Sequence, residues 1–146
     1  MQANDSRLTF GRFLGESASR FGPRRAIFFE GREVSYKELE REARLLARAL
    51  IGAGVVKGAR VAVHMGNRPE WIVAAFAVGM LGGVLVPVNT VASRAELRHV
   101  LRHSDASLLL MQPSLSKQRF LEDLLADYPA IALGEPGRLR CLELPQ

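Results

Sequence analysis

The sequence contains one cysteine, Cys141, and only two threonines, Thr9 and Thr90. A lone cysteine excludes a disulfide or a cysteine-based metal site formed within the chain. The sequence also has no cluster of Ser, Thr and Gly, so it lacks the kind of loop that cradles phosphate groups with backbone N–H groups. The first ten residues contain no apolar targeting segment, which predicts a reducing, cytoplasmic location.

Lysine is scarce as well, since Lys37, Lys57 and Lys117 are the only lysines among 20 basic residues. The formal net charge of +5 raises the question of a nucleic-acid partner. The arginines of residues 41–48, however, are interleaved with the glutamates of residues 38–42, as on a solvated helix face. Because no basic block with interleaved aromatic residues exists, the sequence predicts no nucleic-acid partner.

The three histidines do not form a set of metal ligands. His99 and His103 are four residues apart and can share a helix face, as metal-binding pairs do, but no Asp or Glu lies between them in the pattern of metallohydrolases. The sequence therefore predicts no metal site. His64 lies inside an apolar strand, which predicts a hydrogen-bonded residue of the core.

No charged residue occurs from Trp71 to Ala92, a stretch long enough to span a bilayer. Gly82 and Gly83 interrupt it in the middle, and Pro87 would be costly inside a helix. The Val-rich second half favours extended structure. We therefore predict a buried helix followed by a buried strand, and no membrane span.

The first third of the chain predicts a helix, a hairpin and a second helix. Thr9 can cap the first helix, and Ser35 with Glu38 has the spacing of a capping box for the second. Gly52 and Gly54 can end that second helix. The predicted ranges are Phe10–Arg20, Arg25–Phe29, Arg32–Ser35 and a long helix from Ser35 to about Gly52.

The middle of the chain alternates strands and helices. Continuous apolar strands in this order are typical of an α/β fold, in which a parallel sheet carries helices on both faces. The predicted elements are Arg60–Met65, Pro69–Leu81, Val84–Val88, Ser93–Arg102 and Ser107–Met111.

After Met111 the pattern weakens to a helix around residues 120–125 and two short strands, Ala130–Leu133 and Arg140–Leu144. We expect residues 1–146 to be part of one domain with no internal boundary.

Three segments carry a resemblance to a known family. They are Val34–Leu39 (VSYKEL), Asn67–Trp71 (NRPEW) and Gly82–Thr90 (GGVLVPVNT). Together they resemble the N-terminal part of the AMP-forming acid–CoA ligases, an adenylate-forming superfamily, over about Thr9–Met111. The resemblance implies an incomplete N-terminal subdomain of the adenylate-forming fold. Gly58-Ala59-Arg60 departs from the usual Gly-Asp-Arg of that family, which weakens a local turn.

The resemblance also implies a function for the complete enzyme. Such an enzyme uses ATP and Mg²⁺ to convert a carboxylic acid, here expected to be a fatty acid, into an acyl-adenylate, and then transfers the acyl group to CoA. The phosphate loop, the ribose-binding aspartate and the catalytic lysine of the family have no counterpart in this sequence. We therefore expect no catalytic residue, no tightly bound cofactor and no activity in this chain alone. The alternative is a stand-alone, non-enzymatic α/β module for protein association.

Polar residues that follow two of the predicted strands are the candidate substrate-binding residues. Asn67 follows one strand, and Asn89 and Thr90 follow the next. Open α/β sheets bind ligands at the carboxyl ends of their strands, so these residues are candidates for the acid or CoA cavity. The alternatives are that Asn67 caps the helix beginning at Pro69 and that Asn89 and Thr90 form a turn.

The three apolar strands also predict self-association of this chain. Such strands need cover on both faces, and an open strand edge can pair with another chain.

Overall fold

The computed structural model describes residues 9–128, 132–133 and 139–140. These residues form two compact units, each assembled from separate stretches of the chain. Unit 1 contains the described residues through Gly58 together with Arg68–Val84. Unit 2 contains Ala59–Asn67 and the described residues from Leu85 onward.

Unit 1 consists of three helices and a hairpin, and each helix begins at a signal visible in the sequence. The Thr9 hydroxyl accepts a hydrogen bond from the N–H of Arg12. Ser35 and Glu38 form the predicted capping box, in which the Ser35 N–H donates to the Glu38 carboxylate and lowers its pKa. The elements are α1 (Phe10–Phe21), β1 (Arg25–Phe29), β2 (Arg32–Ser35), α2 (Tyr36–Gly52) and α3 (Pro69–Met80).

The hairpin of β1 and β2 turns at Glu30 and Gly31, which have φ angles of 48° and 80°. This left-handed region favours glycine, and the turn joins the two strands of the hairpin that the sequence predicts. The antiparallel register shifts between Arg25 and Ile27, so Ala26 forms a bulge.

The core of unit 1 joins all three helices to the hairpin. Its buried side chains are Leu14, Val34, Leu39, Ala43 and Val73. α3 is apolar around its whole circumference and is largely buried, although Ile72 is exposed.

Glycine allows α1 and α3 to approach closely. A Cβ atom placed on Gly79 would lie 2.6 Å from Cγ of Phe10, closer than real carbon atoms come. Phe10 also contacts the ring of Phe76 edge-on, with 5.9 Å between the ring centroids. Gly79 is therefore a packing residue within α3.

Unit 2 contains the parallel sheet and the remaining helices. The elements are β3 (Arg60–His64), β4 (Val84–Pro87), α4 (Arg94–His103), β5 (Leu108–Met111), α5 (Phe120–Asp127) and the short pair β6 (Ala132–Leu133) and β7 (Leu139–Arg140). Ser93 and Glu96 form a second capping box at the start of α4. The predicted strands Ala130–Leu133 and Arg140–Leu144 lie partly outside the described residues.

The main sheet has the strand order β4-β3-β5, and β3 pairs with β5 in parallel from Val61↔Leu108 to His64↔Met111. The predicted α/β class with a parallel sheet is confirmed. Ala62 packs into a core with side chains of α4 and α5, including Leu97, Leu101, Leu124 and Tyr128. Val61 and Val63 alternate with Ala62 and are also fully buried, so neither face of β3 is exposed.

Ion pairs connect α4 to α5. Asp127 accepts hydrogen bonds from the guanidinium of Arg94, which lowers the pKa of this carboxyl group. Arg98 lies 3.1 Å from the same carboxylate. The two arginine side chains are exposed and that of Asp127 is 9% exposed, so the pairs join the two helices at the edge of the surface.

The uncharged stretch from Trp71 to Ala92 forms α3, a turn at Gly82 and then β4, in the predicted order. The prediction of a buried strand is wrong, because Val84 and Pro87 of β4 are exposed and the two residues between them are only partly buried. Within the described part of the chain, no helix has the length and hydropathy needed to cross a membrane.

Candidate functional site

The candidate site is the edge of the sheet where β3, β4 and β5 end. The N–H of Val88, the residue after β4, donates to the carbonyl of Val63 near the end of β3, at 2.9 Å. The parallel register of β3 and β5 places Met111 beside His64. All three strands therefore end at the same edge, where α/β sheets bind their ligands.

Gln112 ties two of these strand ends together. Its side-chain oxygen accepts a hydrogen bond from the N–H of Gly66 at 2.7 Å, and its side-chain nitrogen donates to the carbonyl of Ser114 at 2.6 Å. The residue is buried, so both amide atoms are held in place. Gln112 is not among the site residues predicted from the sequence, although it is the first polar residue after an apolar strand, the same signal that identified Asn67 and Asn89.

Asn89 follows β4 and is exposed, and its side-chain oxygen accepts a hydrogen bond from the N–H of Val91 at 3.1 Å. This is the turn predicted as the alternative for Asn89. Thr90 is the next residue and is half-buried. Both residues lie at the edge where the sequence analysis placed them.

Asn67 lies in the loop after β3 and is exposed. The alternative that Asn67 caps α3 is wrong, because the capping position is Arg68 and no side chain caps this helix end. Pro69 begins the helix instead, and its missing N–H removes one of the donors that a cap would have to satisfy.

His64 ends β3 immediately below this edge. It is only 2% exposed, and its ring lies against Phe120 with 4.2 Å between the centroids. Neither ring nitrogen has a hydrogen-bond partner among the described residues, so the predicted hydrogen-bonded role is wrong. Burial lowers the pKa of His64, because an apolar surrounding disfavours the charged imidazolium.

His99 and His103 stack on the face of α4, with 5.4 Å between their ring centroids. The described residues contain no group of three or more His, Cys, Asp or Glu side chains that could hold a metal ion. The candidate edge itself offers amide and hydroxyl groups, which can orient a ligand but cannot neutralise the charge of a reacting phosphate.

Comparison with known proteins decides the family. The sequence profile described as AMP-binding enzyme matches residues 14–135. The chain belongs to this family. The resemblance drawn from VSYKEL, NRPEW and GGVLVPVNT is thus confirmed.

Two curated relatives illustrate the range of the AMP-binding enzymes. A putative acyl-CoA synthetase, YngI of Bacillus subtilis (strain 168), is 30% identical over 139 residues, which are 94% of this chain and 25% of that protein. Tyrocidine synthase 1 of Brevibacillus parabrevis is 39% identical over 102 residues, 70% of this chain and 9% of that protein. The chain thus spans at most about a quarter of the length of these relatives.

A solved structure agrees with the fold. The N-terminal subdomain of Klebsiella oxytoca NpsA, in complex with anthranilyl-AMSN, matches 77% of this chain with a TM-score of 0.70 and 28% identity. The match covers 30% of the NpsA chain. The expected relation to an N-terminal subdomain of an adenylate-forming enzyme is confirmed.

Proposed function

We propose that this chain is the N-terminal scaffold segment of an acid–CoA ligase. The complete enzyme would activate a carboxylic acid, of the fatty-acid class, with ATP and Mg²⁺ and pass the acyl group to CoA. The observation that carries the proposal is the match of 94% of this chain to one quarter of a putative acyl-CoA synthetase.

The role of this segment is to build the sheet edge and not to perform the chemistry. In acid activation the carboxylate oxygen bonds to the α-phosphorus of ATP, and the bond to the leaving pyrophosphate breaks. Negative charge on the transferring phosphate must be stabilised in this step, and such electrostatic stabilisation is usually the largest catalytic contribution. The strand ends at Asn67, Asn89 and Gln112 carry uncharged side chains, so we assign them to orientation of a ligand.

We expect this 146-residue chain alone to show no acid-dependent exchange of pyrophosphate into ATP. The reason is that it has neither a phosphate loop nor the catalytic lysine of the family. The measurement is isotope exchange with a panel of fatty and aromatic acids. Exchange above the acid-free control would contradict the scaffold role.

The matched experiment uses the protein encoded by the whole reading frame. If translation continues past Gln146, that longer protein should show the exchange and form acyl-CoA when CoA is added. A reading frame that stops at Gln146 would overturn the proposal and favour the stand-alone module.

Asn67, Asn89 and Thr90 are proposed to face the acid or CoA in the complete enzyme. Asn89→Asp tests this, because an aspartate oxygen can accept the same hydrogen bond from Val91. We expect the kinetic constants for acid or CoA to change while the melting temperature stays within about 2 °C, as surface substitutions usually cost under about 0.5 kcal/mol. A large loss of melting temperature with unchanged kinetics would show a purely structural turn.

A second candidate is an adenylation unit of a peptide synthetase. Tyrocidine synthase 1 supports it with 39% identity. We favour the CoA ligase because Asn89 stands where the amino-acid-activating branch usually has Asp. In the longer protein, exchange with amino acids but not with fatty acids would decide for the second candidate.

Self-association distinguishes the scaffold segment from the stand-alone module. Among the described strands, β4 and β5 form the edges of the main sheet, and Val84 is 48% exposed on β4. Open edges pair with other chains, and the repulsion from a net charge of +5 is screened within about 8 Å at physiological salt. We expect sedimentation to show concentration-dependent association at micromolar concentrations. A concentration-independent monomer with cooperative unfolding would favour the module.

A further inference from the structure

Basic side chains in unit 1 fall into two groups. Most arginines have a carboxylate partner within 4.0 Å: Arg12, Arg25, Arg32, Arg41, Arg44 and Arg68. Five cations have no such partner among the described residues and are exposed: Arg20, Arg24, Lys37, Arg48 and Lys57. Arg20, Arg24 and Lys37 lie around one turn: Arg20 is near the end of α1, Arg24 follows in the turn to β1, and the backbone N–H of Lys37 donates to the carbonyl of Gly22 in that turn.

An aromatic ring orders two of the three cations. The guanidinium carbons of Arg20 and Arg24 lie 5.0 Å and 5.7 Å from the centroid of Phe21. Phe21 in turn packs on Tyr36, with 5.7 Å between centroids. Cation–π contact restricts the rotamers of both arginines, so less side-chain entropy is lost when they bind an anion.

A depression of about 570 Å³ opens beside this cluster, between α1 and the start of α2. Arg20 and Lys37 line it together with small residues, among them Gly15, Ser19 and Gly22. Small side chains leave room for a ligand to reach the two cations. The backbone N–H groups of Tyr36 and Lys37 already donate to carbonyls of residues 24 and 22, so the side chains must supply the donors.

One carboxylate also lines the depression, but it is engaged. Glu40 accepts two hydrogen bonds from the guanidinium of Arg44, at 2.9 Å and 2.8 Å. The charge of Glu40 is therefore largely balanced by Arg44, and Arg20 and Lys37 line the depression with no carboxylate partner among the described residues.

We propose that Arg20, Arg24 and Lys37 form a binding site for a phosphate-bearing ligand with at least two negative charges. Guanidinium groups match the geometry of phosphate oxygens, and a lysine ammonium adds a mobile point charge. The site lies in unit 1 and uses none of the residues assigned to the sheet edge of unit 2. Its chemistry is the recognition of phosphate groups, either on a soluble molecule or on a lipid headgroup.

Calorimetric titration of the 146-residue chain with sodium pyrophosphate, at low ionic strength, tests the site. Arg20→Gln with Lys37→Gln should weaken binding by about tenfold or more, since two charge-assisted contacts are lost. The matched control is Arg48→Gln with Lys57→Gln, which removes the same charge from exposed residues of unit 1 outside the depression. This control should change the affinity by less than about twofold, the change expected from net charge alone.

A second arm distinguishes the source of the phosphate. Vesicles of phosphatidylcholine containing phosphatidic acid are sedimented with the wild-type chain and both double variants. If pyrophosphate binds and its affinity falls in Arg20→Gln with Lys37→Gln but not in the control, the ligand is a soluble molecule. If only vesicle binding occurs and shows these same losses, the ligand is a lipid headgroup. Arg24→Gln, a single exposed change, should weaken the same interaction by a smaller factor. Absence of both interactions, or equal losses in the two double variants, would overturn the proposal.

Discussion

Replacing Gly79 with leucine is expected to destabilise the chain by about 2 kcal/mol and to lower its melting temperature by about 6 °C. A Cβ atom at this position would lie 2.6 Å from Cγ and 2.8 Å from Cβ of Phe10. Those atoms are near the backbone of α1, so the clash cannot be relieved by moving the far end of a side chain. α1 must therefore shift away from α3, which weakens the core around Leu14 and Val73.

The gain in helix propensity from Gly79→Leu opposes the cost of overpacking and is smaller than that cost. Leucine is better than glycine inside a helix by about 0.8 kcal/mol, so the expected cost of overpacking outweighs the gain. Gly52→Leu is the control, because a Cβ atom on Gly52 meets nothing within 4 Å. Thermal unfolding followed by circular dichroism should show a loss for Gly79→Leu and little change for Gly52→Leu.

A double-mutant cycle isolates the contact between α1 and α3. Phe10 is 58% exposed, so Phe10→Ala can be made without opening a buried cavity. In that background the cost of Gly79→Leu should fall by about 1 kcal/mol or more, because the atoms that clash are partly removed. An equal cost in both backgrounds would show that the close approach of Phe10 to Gly79 does not limit this site.

Acidification below about pH 6.5 is expected to destabilise the chain through His64. Its pKa in the folded state is lowered from 6.5 by burial, whereas in the unfolded state it returns to that ordinary value. Between the two values the unfolded chain binds more protons than the folded chain. The free energy of unfolding therefore has its full value above about pH 6.5 and declines as the pH falls, by up to about 1.4 kcal/mol per pH unit.

His64→Leu should remove this pH dependence. Leucine has a similar volume, keeps an apolar contact with Phe120 and cannot be protonated. It also removes two buried nitrogens without partners among the described residues, so we expect a gain of about 1 kcal/mol at pH 7. Denaturant unfolding between pH 5.0 and 7.5 measures both effects above the range in which most carboxylates titrate.

His103→Gln is the control for this experiment, because His103 is exposed on α4. A pH dependence that persists in His103→Gln and is lost in His64→Leu would show that removing just any imidazole is not enough to abolish it. A His64→Leu variant that loses stability at pH 7 and keeps the wild-type profile would show that another group carries the pH dependence.

Local sequence signals predicted most of the elements. The capping boxes of Ser35 with Glu38 and Ser93 with Glu96 use contacts between residues three apart, and both are present in the structure. The turn at Glu30 and Gly31 follows from backbone sterics. Every helix and strand predicted between Phe10 and Tyr128 occurs, with ends that differ by at most two residues.

The candidate site was only partly predictable. Asn67 and Asn89 could be assigned to the carboxyl ends of strands, because strand order along the chain is enough to place them at one edge. The contact between Gln112 and Gly66 joins residues 46 positions apart, so it depends on the register of β3 with β5. Whether the ring nitrogens of His64 have hydrogen-bond partners among the described residues likewise depends on which side chains of α5 pack against the ring.

The sequence by itself determined the α/β class, the caps of α1, α2 and α4, the hairpin and the family, because each depends on neighbouring residues or on short motifs. Only the tertiary structure decided the surroundings of Gly79, His64 and Gln112, and only the tertiary structure placed Arg20 and Lys37 at one depression. A glycine that ends a helix and a glycine against which a phenylalanine side chain packs cannot be distinguished in a sequence. The same holds for a cation with a carboxylate partner and one without, since the difference lies in residues brought together by folding.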